Sequence, residues 1–438
     1  MTSGASETEI VHVLGRRVWD SRGRPTVEAE VRLAGGATGR AIAPAGASTG
    51  SREAVDRRDG PAQGKAPFGG FDVSGAVAAV SSEIASALVG LDASDQQGVD
   101  ACLVELDGTA ARSRLGGNAL IATSMALAHA AAAACDQPLW KYLAAGVVKE
   151  PRLPLPEIQI FGGGAHAGRR VDIQDFMCIA VGAETFAQAL DWTAEVYRAA
   201  GELLAEDGRL HGVADEGGWW PAFDSNEEGL GLLVRAIEKA GLAPGEEMAI
   251  SLDVAASEFG LGGRYTLARD GRTLDTGELV ELLEGWIARY PIVSIEDPLG
   301  EDDPEGLRAF TESVGARIQV IGDDFLVTDA QRVRDAVVLG ACNALLVKPN
   351  QSGTLTETHA AFEAATSAGW GAIVSARSGE TEDVTVVHLA VGWGAPQLKV
   401  GSFARSERMA KWNEGLRIGE ALEAGGALPP RSTFPWGA

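Results

Sequence analysis

The feature that most constrains this chain is a pattern repeated through its second half. A short apolar run ends in a charged residue, and an amphipathic stretch of helical length follows. The runs are AISLD ending at Asp253, PIVSIED with Glu296, IQVIGDD with Asp323, ALLVK ending at Lys348, AIVSAR ending at Arg377 and QLK ending at Lys399. Unbroken apolar runs of this length suit parallel strands buried on both faces, with the intervening helices as crossovers. Successive units of this kind specify an α/β fold, and point to a closed (β/α) barrel more than to an open doubly wound sheet. No Gly-rich dinucleotide turn follows an early strand to favour the open form. In such barrels functional side chains sit where strands end and the following loops begin. Here each of those ends carries a charge.

A chain of 438 residues exceeds what one core usually fills, so a second domain is expected. Before the barrel pattern, Val11 to Leu33 reads as two extended segments split by the polar turn Asp20-Ser21-Arg22-Gly23-Arg24-Pro25. Gly46-Ala47-Ser48-Thr49-Gly50 is small and flexible enough to fold over a ligand. Helical patterns at Val73 to Leu88 and Asn118 to Leu143 complete an α+β unit, and the prolines at 151, 154 and 156 mark its end. The expected division is an α+β domain over 1–145 and a barrel over 146–438.

The 61 acidic against 37 basic residues give a formal charge of -24, which disfavours the polyanions nucleic acid and anionic membrane as partners. A phosphorylated substrate must then be captured by local cations and metal. The first residues lack the basic start and apolar stretch of a secretory signal. The Ala-rich run from Ala119 to Cys135 contains Ser124 and His129 and reads as a buried helix, not a membrane span. Cys102, Cys135, Cys178 and Cys342 form no CxxC pair, so buried structural thiols and a cytoplasmic location are expected.

Asp253, Glu296 and Asp323 fall at three successive strand ends, where a barrel would gather their carboxylates. Such a cluster is costly without a cation, and all-oxygen ligation suits Mg²⁺. Singly, each acid reads as a helix cap or surface charge; as a set they favour the metal. Lys348, Arg377 and Lys399 continue around the rim. A lysine near a metal and a second cation can have a lowered pKa and act as a base, and arginine suits bidentate phosphate capture. The alternative is a structural network that merely neutralises the acids. Asp215-Glu216-Gly217-Gly218 is too rich in small residues for a helix interior; it is either a plain turn or a loop presenting an acid. His166 lies in the flexible run Gly162-Gly163-Gly164-Ala165-His166-Ala167-Gly168, where a ligand-covering loop would be expected.

The segments DSRGRPTVE, GASTG, VDIQDFM, ADEGG, SLDVAASEF, SIEDPLGEDD, IGDDFLVT, NQSGTLTET, SARSGETED and KVGSFARSER run in the order of the enolase family. This resemblance implies a small N-terminal α+β domain capping an enolase-type barrel, in a homodimer. It implies Mg²⁺ held by Asp253, Glu296 and Asp323, with Lys348 taking the alpha proton and Glu216 assisting departure of the leaving hydroxyl. Lys399 would hold the substrate carboxylate, and Arg377 and Ser378 its phosphate. Ser48 would complete a second Mg²⁺ site on loop closure. His166 would lie close to substrate, and Asp175 would partner the catalytic acid.

The departures from the family pattern cluster at these positions. A histidine of the SHRSGE motif is Ala376 here, and the glutamate of QEF is Asp175, one methylene shorter. Pro349 follows the base, Arg169 and Arg170 follow His166, and Arg24 replaces an asparagine. The enolising residues are all retained. The resemblance therefore implies a Mg²⁺-dependent lyase acting on a 2-phosphoglycerate- or phosphoenolpyruvate-like substrate. Ala376 would enlarge the pocket, and the arginines would favour a larger or more anionic ligand. These changes suit a specialised paralogue of phosphonate or phosphinate antibiotic pathways, with a small phosphorylated or phosphonate carboxylate as substrate. An ordinary glycolytic enolase, or an inactive homologue used as a binding protein, are the alternatives.

Overall fold

The structure is a computed structural model that describes residues 6–60 and 67–437; residues 1–5, where a signal was sought, lie outside it. The chain opens with a three-stranded antiparallel meander, β1 (Ile10–Trp19), β2 (Pro25–Leu33) and β3 (Thr38–Ile42). The turn between β1 and β2 closes because Asp20 Oδ1 accepts from the backbone N–H groups of Arg22 and Arg24 at 2.9 and 2.8 Å. Gly23 supplies the positive φ of +68° that the turn needs. Strand β3 and a helix at Gln96–Asp107 were not legible in the sequence.

The helix at Gly117–Ala134 packs on β2 and β3 with most of its residues buried. By length and composition it could cross a membrane, but its apolar surface is used inside this domain. Its small side chains let the backbones approach closely: a Cβ on Gly39 of β3 would collide with the Ala126 carbonyl and the Ala130 nitrogen. The expected single helix to Leu143 is two. It stops at Ala134, the chain turns through Asp136 at φ +52°, and Pro138 precedes a short helix at Leu139–Ala144.

The second part is a closed barrel of eight strands. These are β4 (Leu155–Gly162), β5 (Asp175–Ile179), β6 (Ala249–Asp253), β10 (Ile292–Glu296), β11 (Gln319–Gly322), β12 (Ala344–Val347), β13 (Gly371–Ser375) and β14 (Gln397–Ser402), with β14 closing on β4. Between β6 and β10 lies a small antiparallel sheet, β7 (Gly260–Leu261), β8 (Arg264–Leu267) and β9 (Arg272–Asp275). The six-run pattern missed β4 and β5. Strand β5 runs antiparallel to both neighbours, because β4 and β5 are joined directly through the His166 loop without a crossover helix. Its reversed direction brings its first residue, Asp175, opposite Asp253, at the rim where the parallel strands end.

Helices return the chain between the later strands, and their starts follow simple chemistry. Thr185, Ser225, Asp303, Asp329 and Thr354 each accept a backbone N–H as N-cap, and Asp275 with Glu278 forms a capping box. Two sequence expectations need correction here. Lys399 is not at its strand end but within β14, whose register shifts between Lys399 and Ser402 and whose Gly401 has φ +99°. Of the four cysteines only Cys178 and Cys342 are buried; Cys102 is half-buried and Cys135 is exposed beyond the end of its helix.

Candidate active site

At the rim of the barrel a narrow cleft is lined by strand ends, by the Gly46–Ser48 segment and by Glu216. His166, Asp175, Glu216, Asp253, Lys348, Arg377, Ser378, Lys399 and Ser48 all face it, as does Ala376. Glu296 and Asp323 lie just behind this lining, each bound to one of its lysines.

The acids and bases interleave. Lys399 Nζ donates to Glu296 Oε2 at 2.7 Å and Asp253 Oδ2 at 3.1 Å, and lies 3.8 Å from Asp175 Oδ2. Lys348 Nζ donates to Asp323 Oδ2, whose other oxygen accepts from Gln351 Nε2 at 2.9 Å. The three carboxylates expected to hold metal are thus shared out: Asp253 with Glu296 on Lys399, and Asp323 on Lys348. Behind Asp323 the Asp297 carboxylate accepts the backbone N–H groups of Asp323 and Asp324, both at 2.9 Å. That fixes the turn after β11.

Burial drives the electrostatics. Burial first, and then the negative charge of Asp253, push Glu296 well above the usual carboxylate range. Burial also pushes Asp297 up to about 8, with Asp323 adding to it. Burial is the largest influence on the Lys348 ammonium and works to lower it, but Asp323 and Glu296 together pull the other way and the net direction is upward. Asp323 sits directly against the amine, so the lowering expected beside a metal would require that carboxylate to be taken up by the ion. Burial acts likewise on His166, yet Asp175 and Glu216 outweigh it and push the imidazole up to about 9. His166 Nδ1 lies 3.1 Å from Asp175 Oδ1, and its Nε2 lies 3.9 Å from Glu216 Oε1.

The donor set fits a hard divalent cation. Glu296 Oε1 is buried with no hydrogen-bond partner, inside a group of carboxylates whose charge two lysines counter. An orphaned carboxylate oxygen among all-oxygen donors is what a Ca²⁺- or Mg²⁺-type ion satisfies.

Arg377 is held tightly. Its NH1 and NH2 reach Glu53 Oε2 and Oε1 at 2.8 and 3.2 Å, NH1 also reaches Asn350 Oδ1 at 3.1 Å, and NH2 reaches the Ser48 carbonyl at 2.9 Å. Ser378 Oγ accepts from Arg22 at 3.2 Å. So the segment from Ser48 to Glu53 is latched onto the barrel through Arg377. Gly50 N donates to Glu53 Oε1 at 3.0 Å, which shapes that segment.

Several departures read differently in three dimensions. Arg169 reaches out to Glu258 at 2.7 Å, Arg170 stacks over Trp220 at 4.4 Å and Arg24 over Phe71 at 4.1 Å. None lines the cleft, which corrects the expectation that these arginines enlarge its anion capacity. Pro349 is the first residue of a short helix, where a missing N–H has no intrahelical partner to lose. Ala376 does line the cleft, its N–H bonded to the Lys399 carbonyl at 2.9 Å.

Glu53, Gln159, Gln174 and Gln351 position the charged groups, and none of them stands out in the sequence. Gln174 Nε2 donates to Asp253 Oδ2 at 3.1 Å, and its buried Oε1 has no partner. Their signal was faint: each is one amide or acid within an otherwise ordinary stretch.

Comparison with known families gives two adjoining matches. Residues 10–143 match the enolase N-terminal domain, and residues 150–432 match the enolase C-terminal TIM barrel domain. Between them they account for the meander and its helices, the barrel and every residue of the cleft. The chain belongs to the enolase family.

Proposed function

We propose that this protein is a Mg²⁺-dependent lyase-type enzyme that removes the alpha proton of a 2-phosphoglycerate- or phosphoenolpyruvate-like carboxylate. The observation that carries this reading is the partition of one cleft into two proton-handling ends, Lys348 beside Asp323 and Glu216 beside His166. Both ends line the same cleft, so a substrate bound there can meet Lys348 and Glu216 together. Asp253, Glu296 and Asp323 would hold Mg²⁺, which would supply positive charge to stabilise the enolate. Lys348 then takes the alpha proton, and Lys399 binds the carboxylate on which negative charge develops. Glu216 serves the departing group with a proton relayed from His166: burial works to raise the Glu216 carboxyl, but the charges of His166, Arg408 and Lys399 hold it below its ordinary range. Arg377 and Ser378 bind the phosphoryl or phosphonyl end, with Ser48 closing over it.

Within the family we place this chain with specialised paralogues such as carboxyphosphonoenolpyruvate synthase, which serve phosphonate and phosphinate biosynthesis. Ala376 supports this reading: a small side chain in the cleft wall leaves room for a bulkier phosphonoformate-derived group. The retained lysines and acids keep ordinary 2-phosphoglycerate dehydration as the competing reading. The test is the ultraviolet absorbance change with 2-phosphoglycerate and Mg²⁺, beside the same assay with a phosphonoformate derivative. Turnover of the second with slow turnover of the first supports the specialised role. Brisk turnover of 2-phosphoglycerate alone refutes it, and Ala376→His should shift the preference toward 2-phosphoglycerate.

A further inference from the structure

We propose that Gln159 is a positioning residue, whose carboxamide ties Asp175 to the loop bearing Glu216 and so fixes His166 between the two acids. The proposal rests on the functional reading above and adds a residue that does not touch the cleft.

Gln159 sits in β4 and is buried. Its Nε2 donates to Asp175 Oδ1, and its Oε1 accepts from the Gly218 N–H at 2.8 Å. The same Asp175 oxygen lies 3.1 Å from His166 Nδ1, and His166 Nε2 lies 3.9 Å from Glu216 Oε1. Glu216 is two residues before Gly218, so these contacts form a closed ring: Gln159, Asp175, His166, Glu216 and back through the loop. Gly217 at φ +94° allows the tight path, and a Cβ on Gly218 would collide with the Gln159 side chain. With Asp175 Oδ1 set by an amide donor, the His166 Nδ1 hydrogen is directed at that oxygen and Nε2 at Glu216.

The register explains why a glutamine does this. Gln159 stands opposite Met177 and Asp175 opposite Gly162, with a register shift in β4 between Gln159 and Phe161. Across that irregular stretch a long side chain on one strand meets a short one on the other. Glutamine with aspartate has the matching summed length. Asparagine with aspartate falls one methylene short, and glutamine with glutamate is one methylene too long. The two positions are therefore matched in length, and each constrains the other.

The test is a double-mutant cycle on the full-length, Mg²⁺-loaded protein with Gln159→Asn, Asp175→Glu and both together. Alpha-proton exchange of 2-phosphoglycerate with deuterium is followed alongside the ¹⁵N shifts of the imidazoles, His166 being assigned by His166→Asn. Each single substitution should lower the exchange kcat about 100-fold through misplacement of the acid pair, with little change in KM or Tm. Together they should recover at least about tenfold, since the summed length is restored. Additive losses, or singles with wild-type kcat, overturn the proposal. If the wild-type protein exchanges no proton from 2-phosphoglycerate or from a phosphonoformate derivative, the functional reading fails, and the imidazole spectrum alone decides. Displacement of the His166 signals in the singles and their return in the double supports the positioning role; an unmoved His166 in all variants overturns it.

Discussion

Replacing Glu53 with glutamine tests the latch between the N-terminal segment and the barrel. Glu53→Gln keeps shape and removes charge from a pair in which both side chains are nearly inaccessible, 3% for Arg377 and 6% for Glu53. The two contacts at 2.8 and 3.2 Å are lost as ionic bonds, while Asn350 and the Ser48 carbonyl still accept from the guanidinium. Removing one partner of a buried pair costs about 3–5 kcal/mol, because the other charge stays behind uncompensated. The surviving acceptors place the expectation near the lower end, about 3 kcal/mol. Denaturant unfolding of both proteins measures it, as a lowered midpoint at unchanged slope. Inorganic phosphate should restore stability to the variant more than to the wild type, because it can replace the missing charge on Arg377. A change under about 0.5 kcal/mol, the range of ordinary surface substitutions, would refute the claim that Glu53 anchors Arg377.

Three further outcomes are expected. Lys348→Ala should abolish alpha-proton exchange while Mg²⁺ binding, followed by calorimetry, is kept; surviving exchange would show that another group is the base. Gly39→Ala should destabilise the N-terminal domain by several kcal/mol, about 3 by the cost of overpacking, since its Cβ meets helix backbone that cannot yield; hydrogen exchange in Gly117–Ala134 reads it. His129, packed near His388 and bonded to Thr385 at 2.9 Å, has its pKa lowered by burial, opposed by Asp383 and aided by His388. The unfolded chain then binds more protons below its ordinary value of about 6.5, so stability is full above that pH and falls as pH drops through the window beneath it. His129→Gln should flatten that slope, and an unchanged pH profile would count against it.

The repeated strand-and-charge pattern identified the barrel because its parallel strands are local in sequence: each is one apolar run ending in one charge. Asp253, Glu296, Asp323 and Lys348 were legible for the same reason. Strand β5 was not, since nothing local to DFMCI reports that it runs backwards. That reversal places Asp175 at the rim, and it follows from the direct β4–β5 connection. The three carboxylates were readable as a chemical type, but their division between Lys348 and Lys399 depends on side chains meeting across strands far apart in sequence. The arginines after His166 show the converse. Their sequence position beside a cleft loop suggested anion binding, yet Arg169 and Arg170 turn to Glu258 and Trp220. The sequence by itself determined the alternation of strands and helices, the turn at Asp20–Pro25 and the kinds of group available for chemistry, because these depend on neighbours within a few residues. Only the tertiary structure decided which charges pair, that Glu53 restrains Arg377, and that Gln159 reaches Asp175, because those contacts exist only once the barrel closes.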